Sequence, residues 1–270
     1  MAACLSTCMP EAKLLNASPD SKPITNRITP VARAACVTAP KNSAQRSCRY
    51  SSAVTSSAYT TAIAALSRMI HRGGVAADGL TGDGCGLLIR RPDTFLRTLA
   101  REAGIALDDA ARFASGLVFL PDEQALAQRC RETLEHELRR AGLSILGWRT
   151  VPTDTRVCGE LARQTLPLIE QIYVQAGEGQ DEESFNLALF LARRRSEQQL
   201  ADIADYYVVT LAAHAIGYKG MVLPDKLSGF YLDLQRPELA SSAIVFHQRF
   251  STNTLPRWPL AHPFRMLAHN

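Results

Sequence analysis

From Thr61 onward, short apolar runs alternate with amphipathic stretches, and this alternation limits the folds open to the chain. The runs at 86–92, 115–121, 143–152, 167–176, 206–215, 217–223 and 241–250 are bounded by Gly, Pro or polar residues and read as strands. Between them, "TAIAALSRMIHRGG" (61–74) and "DTFLRTLAREAG" (93–104) carry helical stripes that Gly73-Gly74 and Gly104 terminate. Residues 122–142 place acids at the start and arginines at the end, as a helix dipole favours, and 182–202 is a further amphipathic helix. Its Arg193-Arg194-Arg195 run reads as a solvated helix end rather than a nucleic-acid contact. Some strands follow one another directly and others are separated by helices. That order suits an α+β arrangement of helices layered on sheets, not a βαβ repeat.

The 270 residues suffice for one large domain or two small ones. Residues 1–60 carry a formal charge of +5, while the remainder carries about −1, so the body offers no basic footprint for nucleic acid or an anionic membrane. No apolar run reaches the length of a membrane span. The seven cysteines (4, 8, 36, 48, 85, 130 and 158) form no CxxC pair and no Cys/His ligand spacing, which points to a reducing compartment and argues against structural zinc.

Residues 1–60 are rich in Ala, Ser and Thr and are broken by Pro10, Pro19, Pro23, Pro30 and Pro40. Without a 3.6- or 2-residue period they cannot bury a face, so a disordered or non-homologous leader is expected ahead of a domain at 61–270. A transit peptide, a pro-segment and a misplaced reading-frame start all remain open for this stretch. A cytoplasmic location is expected, or a plastid or mitochondrion if the leader is a transit peptide.

Polar chemistry gathers in three places: "HRGG" (71–74), "DGLTGDGCGLLIR" (78–90) and "HQRFSTNTLPRWPLAHPFRMLAHN" (247–270). Glycines at 79, 82, 84 and 86 permit positive φ and close backbone approach, so the second stretch reads either as a loop against a ligand or as a tight hairpin. It is no phosphate loop, because Gly-Lys-Ser/Thr is missing and a strand follows. In the third stretch Arg249 follows a buried strand, where a guanidinium can fork a carboxylate, and Thr252 and Asn253 add short hydrogen-bonding groups. Pro256, Pro259 and Pro263 impose an extended path towards "FRMLAHN", which reads as a short strand. Spacing alone favours a surface loop with a satisfied arginine.

Three blocks, "RMIHRGGVAADGLTGDGCGLLI", "YKGMVLPDKLSGFYLDL" and "FHQRFSTNTLPRWPLAHPFRMLAHN", together resemble the amino-terminal region of glutamate synthase large subunits, a class II glutamine amidotransferase domain. The resemblance runs in order from about Thr61 to Asn270. It implies a four-layer αββα sandwich of the N-terminal-nucleophile hydrolase type, incomplete in this chain. It also implies L-glutamine as substrate, with ammonia released for L-glutamate synthesis from 2-oxoglutarate. Arg249 then matches the arginine that pairs with the glutamine α-carboxylate, Phe250, Thr252 and Asn253 line that pocket, and Asn270 helps form the oxyanion hole. The family's nucleophile is an N-terminal cysteine whose own α-amine serves as general base. No cofactor is expected within this chain. The full-length enzyme implies FMN, an iron–sulfur cluster and NAD(P)H or ferredoxin as electron donor, held by a synthase region, with a small subunit as a further partner.

Two departures accompany the resemblance. The family nucleophile opens a Cys-Gly strand, whereas Cys36 stands in "AACVTAP" and Cys48, the candidate nucleophile, in "RSCRYSS". The family also continues past the asparagine with a glycine, whereas this sequence stops at Asn270. The alternative expectation is therefore a truncated, inactive remnant that retains glutamine binding.

Overall fold

The computed structural model describes residues 35–38, 52–249 and 254–265, with 35–38 and 52–57 as backbone only. Their elements run in the order β1 (Ala35–Thr38), α1 (Ser52–Ser67), β2 (Thr81–Arg90), α2 (Asp93–Glu102), β3 (Phe113–Leu120), α3 (Gln124–Arg140) and β4 (Ser144–Thr150). Then come α4 (Glu160–Gln164), β5 (Leu168–Gln175), α5 (Glu182–Gln199), β6 (Tyr207–Val208), β7 (Ala215–Val222), α6 (Leu227–Phe230) and β8 (Ala243–Gln248). The strands form two four-stranded sheets, ordered β1-β8-β2-β7 and β4-β5-β3-β6. Every pairing is antiparallel.

Period-two alternation explains how the second sheet is buried on both faces. Phe113, Leu117 and Phe119 of β3, with Ile169 and Tyr173 of β5, join the core shared with β2, β7 and β8. The alternate residues Ala114, Val118 and Leu120, with Ile172 and Val174, pack under α3 and α5. Those helices meet the sheet through Cys130, Leu134 and Leu138 of α3 and Phe185, Leu189 and Ala192 of α5, at three- and four-residue spacing. On the first sheet, α1 packs against β8 and β1, and its Ala58, Ala62 and Leu66 recur every fourth residue as its buried face. The two antiparallel sheets with helices laid on them form the α+β layering that the sequence predicts.

Several elements differ from expectation. The helix anticipated from Thr61 begins at Ser52 and gives way after Ser67 to a 3-10 turn at Ile70–Arg72. A strand at Ala35–Thr38 also lies within the expected leader, pairing Cys36 with Val245. The glycine-rich stretch opens as a tight hairpin, with Val75 bridged to Gly82 and the Ala76 amide donating to Thr81 O at 2.9 Å across the turn at 77–80, and then runs on as β2 with a register shift between Thr81 and Cys85. Gly79 in the turn and Gly84 in the strand take positive φ, at +73° and +124°, while Gly82 and Gly86 serve close packing. A Cβ at Gly86 would come within 2.6 Å of Lys219 Cβ and 2.7 Å of the His262 carbonyl.

The strand expected over 206–215 shortens to Tyr207–Val208. Beyond it the Thr210 backbone presses on Gly116, and only an isolated bridge, Ser115 to Ala212, continues the pairing. Arg193 is not at a solvated helix end. It is 5% exposed, lies over the Phe190 ring and shares the Glu197 carboxylate with Arg194 and Arg265. Of "FRMLAHN", Phe264 and Arg265 lie outside any strand and the remainder falls outside the described residues.

Candidate active site

The end of β8 and the start of β2 lie side by side, and this juxtaposition builds the site. Cys85 of β2 pairs with Gln248 of β8. One residue further, Arg249 leaves the sheet at φ +122°, a conformation a side-chain-bearing residue adopts only under constraint. Two hydrogen bonds supply the constraint. The Arg249 amide donates to the Gly84 carbonyl at 2.7 Å, and His247 Nδ1 lies 3.2 Å from the Arg249 carbonyl, which it can reach as a donor. The Arg249 side chain is exposed, and among the described residues no acid or carbonyl accepts a hydrogen bond from its guanidinium.

Beneath it the "HRGG" segment meets two buried polar side chains. A Cβ at Gly73 would collide with the Gln248 amide nitrogen and come within 2.7 Å of Asp83 Oδ1, so glycine is required there. Asp83 is 7% exposed, and its backbone amide donates to Gly74 O at 3.1 Å. Burial raises the Asp83 carboxyl above the ordinary carboxylate range, against the opposing influence of Gly74, Arg249 and His247. Burial likewise lowers His247.

Gly74, Val75, Ala76, Thr81, Gly82 and Asp83 form one wall of a cavity of about 520 Å³; Leu161, Gln164, Thr165, Met221, Leu255 and Pro256 form the rest. The α4 wall is fastened by Asp78, whose carboxylate accepts from Thr81 N, Thr81 Oγ1 and Leu161 N at 2.8, 2.6 and 3.0 Å. These bonds, led by the Thr81 hydroxyl, hold Asp78 far below the usual carboxylate range. The other rim belongs to the closing segment 254–265. Its Trp258 indole donates to Ala162 O at 3.1 Å, and Lys219 Nζ of β7 donates to Pro259 O at 2.7 Å.

Of the residues singled out in the sequence, Arg249 lies at this site, while Cys48, Phe250, Thr252, Asn253 and Asn270 lie outside the described residues. Cys36 is in β1, the strand upstream of α1, where it pairs with Val245 of β8, the strand that Arg249 follows. The described thiols Cys85, Cys130 and Cys158 are buried, and burial raises each, Cys130 and Cys158 to about 11. None supplies a thiolate at neutral pH. Asp83, Gln248, His247 and Lys219 were not foreseen as site residues. The signal for Asp83 was an acid flanked by glycines on both sides, and for Gln248 a polar residue at an inward position of a strand.

The model of the family "Glutamine amidotransferases class-II" matches residues 47–270. The large chain of Azospirillum brasilense glutamate synthase [NADPH] is 44% identical over 211 residues, covering 77% of this chain and 14% of that protein. Ferredoxin-dependent glutamate synthase 2 of Synechocystis is 41% identical over 209 residues, covering 77% and 13%. Ferredoxin-dependent glutamate synthase 1 of Arabidopsis thaliana, chloroplastic/mitochondrial, is 37% identical over 212 residues with the same coverage. The chain thus spans about one seventh of the length of these relatives.

Proposed function

This chain belongs to the class II glutamine amidotransferase family, and we propose that it binds L-glutamine and releases ammonia from the side-chain amide as the amidotransferase portion of a glutamate synthase. The observation that carries this reading is the placement of Arg249. An exposed arginine without an acid partner among the described residues has its backbone tied to Gly84 of β2, the neighbour of Asp83, and Asp83 lines a cavity of about 520 Å³, large enough for an amino acid. A guanidinium so held offers two parallel N–H donors to an α-carboxylate. In the proposed reaction a cysteine thiolate adds to the amide carbon, ammonia departs, and water releases glutamate from the thioester. Cys36 and Cys48 are the candidate nucleophiles, with Phe250, Thr252 and Asn253 at the pocket and Asn270 at the oxyanion.

Ammonia would pass to a synthase region that adds it to 2-oxoglutarate. FMN, an iron–sulfur cluster and NAD(P)H or ferredoxin belong to that region in this reading. The described residues contain no group of three or more His, Cys, Asp or Glu able to hold a metal, and no step above runs through those cofactors.

A second reading, glutamine binding without hydrolysis, draws on the burial of Cys85, Cys130 and Cys158, which leaves none of these thiols exposed as a nucleophile. One experiment separates the two: ammonia release and calorimetric glutamine binding, measured on the purified chain and on Arg249→Ala, Cys36→Ala and Cys48→Ala. Release abolished by one cysteine variant supports hydrolysis. Binding lost in Arg249→Ala without any release supports the second reading, and no binding by the parent chain overturns both.

A further inference from the structure

Two acceptor atoms at the site have no donor. Asp83 Oδ1 and Gln248 Oε1 are each buried and without a hydrogen-bond partner, although their residues are only 7% and 1% exposed. An unsatisfied buried acceptor is costly, and the two side chains that carry these atoms meet at one glycine, where Gln248 Nε2 and Asp83 Oδ1 are the nearest atoms. Gly73 makes the convergence possible, since any side chain there would displace the Gln248 amide and crowd Asp83 Oδ1. Asp83 also lines the cavity, whose other walls are chiefly the apolar Val75, Leu161, Met221 and Leu255. A carboxylate and an amide oxygen call for N–H donors, and a carboxylate in an apolar setting calls for a positive charge.

We propose that Asp83 and Gln248 form a subsite for an ammonium-type cation, a group carrying several N–H donors on one positive nitrogen. Two ligands share that chemistry: the free ammonium ion and the α-ammonium of an amino acid. Sodium lacks donors, and tetramethylammonium has charge without N–H, so both serve as discriminating controls. Arg249 stands near enough to act electrostatically on Asp83, so an amino acid bridging the two would satisfy both charges. The subsite requires only these acceptors, and it stands whether or not the chain hydrolyses glutamine.

The test is thermal unfolding of the chain in ammonium, sodium and tetramethylammonium chloride at equal ionic strength, with 15N-ammonium relaxation as a direct readout. Ammonium should raise the midpoint by about 3 °C over the other salts at tenfold the dissociation constant, and its nitrogen should relax faster with protein present. Asp83→Asn is isosteric and removes the negative charge. It should fold and lose both responses. Should that variant fail to fold, the relaxation of 15N-ammonium with the parent chain, with and without excess tetramethylammonium, still decides. Ammonium that competes with glutamine, together with failure of N-acetylglutamine to bind, identifies the α-ammonium as ligand; ammonium that binds without competing identifies the free ion. Equal midpoints in all three salts with unaltered relaxation overturn the proposal, even if glutamine binds. A chain that responds to ammonium but not to glutamine keeps the subsite and loses the proposed function.

Discussion

The amide of Arg249 donates to the carbonyl of Gly84 at 2.7 Å, and both residues hold φ near +120°, at +122° and +124°. Glycine tolerates that conformation and arginine does not, so the cost at Arg249 is carried by the sheet around it.

Gly84→Ala should therefore damage both fold and site. A Cβ at φ +124° costs about 1–3 kcal/mol, read as a lower denaturant midpoint. Glutamine affinity should fall in the same variant. An unchanged midpoint would show that the loop relaxes freely.

Arg249→Lys keeps the charge and removes the planar fork. Glutamine binding should weaken about tenfold or more, since a point charge cannot replace bidentate pairing. The side chain is exposed, so stability should move by no more than about 0.5 kcal/mol. Calorimetry beside a urea titration reads both.

Arg149 of β4 and Asp233 form an ion pair whose side chains are 10% and 2% exposed, with Arg149 also donating to Gln171 Oε1 at 2.7 Å. Asp233→Ala strands a buried guanidinium and should cost about 3–5 kcal/mol. Pairing it with Arg149→Met should recover most of that loss. A double variant no better than the single would mean the pair is not the source of the cost.

His262 packs between His247 and Phe264, with ring centroids 4.6 and 4.2 Å away, and burial lowers its pKa from 6.5 to about 4. Between those values the unfolded chain holds a proton that the folded chain lacks. Its contribution to stability is thus full above pH 6.5 and is lost as pH falls towards 4. The raised Asp83 carboxyl acts with the opposite sign, so the two must be separated by substitution. His262→Gln should flatten the acid limb of the stability profile. An acid limb identical to the parent's would refute this assignment.

Lys219 is 2% exposed; its Nζ bonds Pro259 O and Tyr207 Oη and faces the Tyr207 and Phe264 rings at 4.4 and 5.0 Å. Burial, then Arg265, pushes it well below the usual lysine range. Lys219→Met keeps the packing, so stability at neutral pH should change by less than about 1.5 kcal/mol. Amide exchange in the segment 254–265 should accelerate because one tether to β7 is gone. Wild-type stability should rise with pH below the ordinary lysine pKa, because only the unfolded chain holds that proton there. The variant should lack that rise.

Much of the fold was legible because helices and strands write their periods into the chain. The alternation in Phe113–Leu120 and the stripe in Glu182–Gln199 mark elements whose faces are buried locally. The glycines at 79, 82, 84 and 86 show the positive φ and close approach read from the sequence, but the groups that approach them were not legible there: Gly82 is pressed by Val222, and Gly86 by Lys219 and His262. Arg193 was misread for the same cause, since Phe190 precedes it by one helical turn but Arg265 is 72 residues away in the sequence.

At the site the division is similar. Arg249 stood out in the sequence by residue type and by its place after an apolar strand, and the three motif blocks named its family. Sequence alone determined those, because side-chain chemistry and periodicity are local properties. The positive φ of Arg249, the burial of Asp83 and the meeting of Asp83 with Gln248 at Gly73 were decided only in three dimensions. They depend on which strand ends β2 and β8 bring together, and antiparallel pairing of segments 160 residues apart is a property of the folded sheet.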